Sequence, residues 1–123
     1  MTRPTLNFSL VAALLALGLF TSGCSSEEKP PANTISKDKM ASILADIHVA
    51  ESRVTKLQLK SLDSSLMIFG KLKADIWKKY KVDTLNYRNS YSFYMTHPKQ
   101  MAEIYEKVNK KIEVREKTKS IKL

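Results

Sequence analysis

The densest group of reactive side chains in the sequence is Asp46-Ile47-His48-Val49-Ala50-Glu51, which sets two carboxylates and one of the two histidines within six residues. Such a group could ligate a metal or exchange protons with a substrate. Its spacing argues against both. On a helix advancing about 100° per residue, Asp46 and His48 point in nearly opposite directions, while His48 and Glu51 are neighbours. His48 and Glu51 supply two ligands where a structural zinc takes four, and the other histidine, His97, stands before Pro98 in a turn. No nucleophile elbow, phosphate loop or paired-cysteine motif is present. The reading is no metal site, no catalytic residue, no cofactor and no enzyme.

Glu51 falls one turn past Ile47 and two past Leu44, which sets a carboxylate on an apolar stripe, where an unpaired charge is costly. With His48 and Asp46 it is read as a core polar anchor, partnered by a tyrosine hydroxyl from a later helix, in preference to a catalytic acid. Tyr87, Tyr91 and Tyr94 share one helical face, and Tyr105 follows on the next helix. These rings could supply bulk to a small core or line a stacking groove for a sugar or peptide. Exposure of Phe93 and Met95 beside them would favour the groove. Together with the His97-Pro98 turn, the four tyrosines form the candidate interaction set.

The single cysteine, Cys24, closes an apolar run over 10–20 and the small residues Thr21-Ser22-Gly23. Eleven apolar residues are too few to cross a bilayer, which takes roughly 20. With Arg3 ahead of it, the run reads as a secretory signal, and its Gly-Cys ending resembles a bacterial lipobox. That resemblance implies cleavage after residue 23 and a covalent lipid, such as palmitate, on Cys24. Residues 24–35, with two prolines and almost no apolar content, read as the acylated cysteine and a flexible tether. At about 3.1 Å per residue, an extended tether would hold the domain roughly 30 Å from the bilayer. Glu27-Glu28 also looks like an acidic lipoprotein export signal, which implies the outer face of the outer membrane; a soluble linker is the alternative.

The elements that must position these residues are helices. Cleavage would leave 100 residues, room for one modest core, and would remove one of the 21 basic side chains and none of the 12 acidic, a formal balance of +8. Secretion argues against nucleic acid as the partner of that charge. With its thiol committed to lipid, the domain has no disulfide and rests on packing. Ser36 caps a first helix with Ile35 and Met40 as staple, and its stripe runs through Ile43, Leu44, Ile47 and Ala50 to about Leu59. Asp63 is placed as the cap of a second helix whose stripe is Leu66, Phe69, Leu72, Ile76, Trp77 and Tyr80. Asp83 caps a third, with Val82 and Tyr87 as staple, and Pro98 opens a fourth bearing Met101, Ile104, Tyr105, Val108 and Ile112. The pattern fades from Val114, so that end is expected to fray, with 119–123 as a basic tail. The fold class is an all-α bundle of about four helices over 36–118.

Two segments, ISKDKMASILADIHVAES from Ile35 and KKYKVDTLNYRNSYSFYMTHPKQMAEIYEKV from Lys78, resemble the family of small Bacteroidota lipoproteins labelled domain of unknown function 4296. The resemblance implies an envelope lipoprotein with a helical domain, on the periplasmic face of the outer membrane or at the cell surface. It transfers no catalytic residue.

The first expectation for function is a membrane-tethered accessory subunit that binds an envelope protein. The alternative is capture of anionic lipid or lipopolysaccharide by Lys107, Lys110, Lys111, Arg115, Lys117 and Lys119, within a segment, 107–123, of seven basic and two acidic residues. A charged helix end with no partner is the plainer account of that segment. A periplasmic chaperone with an exposed aromatic groove is the third.

Overall fold

Ile35 and Met40 bracket Ser36, and both apolar side chains are buried. Between them the Ser36 hydroxyl accepts from the Lys39 amide at 3.4 Å, and helix α1 (Lys37–Lys56) begins there. A computed structural model describes residues 28–118. The expectations for the signal, Cys24 and Lys119 lie outside the described residues. Three further helices follow: α2 (Leu62–Tyr80), α3 (Thr84–Met95) and α4 (Pro98–Lys117). The described residues contain no strand, and the protein is a small all-α bundle.

Helix α1 is the centre of the bundle, burying Met40, Ala41, Ile43, Leu44, Ala45, Ile47 and Ala50. Against it α4 buries Met101, Ile104 and Val108. The two helices run in the same direction, because the pairs Lys37–Glu103, Asp38–Lys107 and Asp46–Arg115 advance together along both. Helix α2 returns antiparallel, bringing the Tyr80 hydroxyl back to the Ser42 carbonyl at 3.2 Å. Full burial of residues such as Ile43 or Ile104 puts about 2–5 kcal/mol at risk on truncation to alanine.

The caps follow the sequence at three of four starts. Asp83 accepts from the Asn86 amide at 2.8 Å, and Pro98 occupies the first turn of α4. For α2 the cap is Ser61, not Asp63, which lies in the first turn where its charge suits the helix dipole. The end of α2 is a Schellman motif: the Val82 amide donates to the Trp77 carbonyl at 3.1 Å and the Lys81 amide to the Lys78 carbonyl at 3.2 Å. Lys81 itself takes the left-handed conformation, φ 50°, that glycine usually fills.

Two expectations are corrected at the ends of the domain. Helix α4 does not fray at Val114 but continues to Lys117, because Arg115 is anchored on Asp46 of α1. The tether does not stay free as far as Ile35. The Ile35 amide donates to the Ser90 hydroxyl at 2.9 Å, and the Ile35 carbonyl accepts from the Tyr94 hydroxyl at 2.7 Å. Further back, the Glu28 carbonyl accepts from Gln100 Nε2 at 3.1 Å. Residues 28–35 therefore lie along α3 and the start of α4.

Candidate interaction surface

The tyrosines divide according to what covers them. Tyr94 is 1 % exposed and belongs to the core, because the segment before α1 closes over that end of α3. Tyr91 and Tyr87, one and two turns earlier, are only partly buried and stack at 5.8 Å between ring centroids. Trp77 of α2 leans on Tyr87 at 4.7 Å, and burial pushes the Tyr87 hydroxyl up to about 12. With Ile47 and Phe69 these rings wall a cleft of about 350 Å³ rimmed by Glu51, Lys73 and Arg88. Tyr105 reaches the same neighbourhood from α4, its ring 6.1 Å from that of His48. Of the two residues flanking the tyrosine face, Met95 is exposed and Phe93 partly buried under a stacked His97 ring 4.0 Å away.

Beside the cleft, the first half of α2 is bare. Leu62, Leu66 and Met67 are 74 %, 58 % and 71 % exposed, and Leu57 and Leu85 are exposed as well. The sequence stripe through Leu66 predicts burial, and the structure corrects it: α2 packs principally on α1, and Ile76 is its only buried residue. Its first two turns extend past the partners that would cover them.

The polar cluster rearranges in the same way. Glu51 is exposed, not a core anchor, and its partner is His48 Nδ1 at 3.2 Å, with no tyrosine hydroxyl within hydrogen-bond reach. Its charge still contributes to raising the neighbouring Tyr87 and Tyr105 hydroxyls, though burial is the larger cause. The anchor is Asp46. Its Oδ2 accepts from Lys79 Nζ at 2.7 Å and the Tyr80 hydroxyl at 2.9 Å, and its Oδ1 meets Arg115 at 2.6 Å. Burial pushes the Asp46 carboxyl up, but the hydrogen bonds from Lys79, Tyr80 and Arg115 outweigh it and hold the group below its ordinary value. Asp46 and His48 do not converge, and no group of three metal-ligating side chains forms among the described residues.

His97 is held at the α3–α4 turn: its Nδ1 meets the Phe93 carbonyl at 2.6 Å and its Nε2 meets Glu28 at 3.1 Å. The basic C-terminal face is largely neutralised within the fold. Lys107 pairs with Asp38, Lys110 with Glu106, Arg115 with Asp46 and Lys117 with Glu113. None of these depends on an outside anion. The sequence reading passed over Arg53 and Asp75, which both line a second cleft between α1 and α2. Nothing local in the sequence marks the pair, because their meeting in one cleft depends on how α1 and α2 pack.

No helix of the described residues is long and apolar enough to cross a membrane. No curated protein and no solved structure matches the chain. One family model does match, described as a domain of unknown function (DUF4296), over residues 31–118, a span that opens in the docked segment before α1 and closes at the end of α4. On that match, which takes in all four helices, the chain belongs to the DUF4296 family.

Proposed function

We propose that this protein is a lipid-anchored envelope protein, fixed to the outer membrane through Cys24, that acts as a non-enzymatic subunit by docking a partner protein on the bare half of α2. The observation that carries this reading is the exposure of Leu62, Leu66 and Met67 side by side with the Trp77–Tyr87–Tyr91 cleft. Contiguous exposed apolar side chains mark interaction sites, and aromatic rings set in a pocket make the strongest anchors there. The Glu51, Lys73 and Arg88 rim supplies the polar border that such an interface uses for orientation. A membrane anchor raises the local concentration of the surface, so a modest interface is sufficient. Capture of anionic lipid by α4 has less support, since Lys107, Lys110, Arg115 and Lys117 are already paired.

The test is affinity purification of the tagged full-length chain from solubilised membranes, beside the double variant Leu66→Glu, Met67→Glu. A protein recovered in fixed ratio with the parent chain and lost with the variant is the expected result. Recovery of lipid alone, or of the same partner with both chains, would contradict the reading. A broad set of unfolded clients lost with the variant would replace it by the chaperone reading.

A further inference from the structure

The cleft between α1, α2 and the last turn of α4 holds charges that the fold itself does not satisfy. It has a volume of about 430 Å³, within the range of small-molecule sites, and a floor that includes Ala50 and Ile76. Arg53 is among the lining residues, and its Nε is buried without a hydrogen-bond partner. A buried donor left unmade is costly, so such an atom calls for an acceptor. Asp46 does not supply one. Its two oxygens are taken by Arg115 at 2.6 Å and by Lys79 and Tyr80 at 2.7 and 2.9 Å. Asp75 opens onto the same cleft, exposed, and forms no ion pair with Arg53 within 4.0 Å.

We propose that this cleft binds a small zwitterion, a molecule carrying a phosphate or carboxylate beside a protonated amine, with Arg53 receiving the anion and Asp75 the amine. The guanidinium fork matches either anion with two parallel hydrogen bonds. Three cations, Arg53, Lys79 and Arg115, face two carboxylates, Asp46 and Asp75, so the cleft is net positive toward the anionic group. A phosphoethanolamine headgroup and a free α-amino acid share this chemistry. The site is independent of the docking face, whose cleft shares none of its lining residues.

The experiment is nuclear magnetic resonance of the ¹⁵N-labelled full chain in a non-ionic detergent, observing arginine Nε–H signals during titration with O-phosphoethanolamine, glycine and inorganic phosphate. The Arg53 signal is identified by its absence in Arg53→Lys. It is expected to shift with at least one zwitterion, and the probe acting at the lower concentration names the source of the ligand. In Asp75→Asn, an exposed substitution that leaves the packing intact, affinity for that zwitterion is expected to fall by about tenfold, to the level of inorganic phosphate. No shift up to roughly 10 mM of either zwitterion, or an affinity that Asp75→Asn leaves unchanged, would overturn the proposal.

Discussion

Arg115, in the last turn of α4, meets the Oδ1 atom of Asp46 at 2.6 Å. The opposite oxygen of Asp46 is held by Lys79 and Tyr80 of α2, so one carboxylate, 10 % exposed, joins three helices. Removing it takes the ion pair from Arg115 and leaves the Tyr80 hydroxyl only the longer bond to the Ser42 carbonyl, whereas the water-exposed Lys79 loses little. Asp46→Ala is expected to lower stability by about 1–3 kcal/mol in urea denaturation. Glu51→Ala, on an exposed carboxylate, should stay within about 0.5 kcal/mol of the parent.

The same carboxylate sets an acid limit. Its value in the folded protein lies below the ordinary 3.8, so its contribution to stability is complete above 3.8 and is lost as pH falls through the lower folded value. The stability difference between the parent and Asp46→Asn should therefore be constant near neutrality and shrink below about pH 4. Urea denaturation of both chains between pH 7 and 2 measures it. A difference that persists at pH 2 would mean that the charge of Asp46 is not what stabilises.

Tyr87 sets an alkaline counterpart. Burial raises its hydroxyl from 10.0 to about 12, so the folded state favours the protonated ring, and stability from this source is present below pH 10 and lost as pH rises toward 12. Tyr87→Phe should show a shallower loss of stability than the parent over that interval. Ultraviolet titration of the phenolates, run beside the denaturation curves, should also lose its latest-titrating component.

Lys81 occupies the C′ position of the α2 Schellman motif at φ 50°, ψ 54°. A side chain there is strained by its Cβ atom, and glycine is not. Lys81→Gly should raise stability by about 0.5–1 kcal/mol, net of the greater freedom it gives the unfolded chain. Thermal denaturation of the two chains decides it, and a lower midpoint in the variant would show that the Lys81 side chain contributes more than its strain costs.

What the sequence discloses and what it hides divide along the range of the interactions. Ser36, Asp83 and Pro98 mark helix starts because a cap or an N-terminal proline acts within three residues. Ser61 was missed because Ser61 and Asp63 are both capping types, and Asp63 is equally suited to the first turn. The core face of α1 was readable through Ile47, where apolar spacing matches burial. One turn later Glu51 escapes to water, since burial there depends on where the neighbouring helices end. Tyr87, Tyr91 and Tyr94 carry the same spacing, yet only Tyr94 is covered, by a segment more than fifty residues earlier that supplies the Ile35 carbonyl. The Asp46–Arg115 pair and the Arg53 cleft are likewise tertiary products with no local signature.

The central claim, that the bare half of α2 docks a protein, is tested most directly by a photo-crosslinking amino acid placed at Met67 in the full-length chain and activated in living cells. Asn109, exposed on α4, serves as the comparison position. The account predicts one discrete protein adduct from position 67 and none of that mass from position 109. The absence of any protein adduct at 67, or the same adducts from both positions, would contradict it.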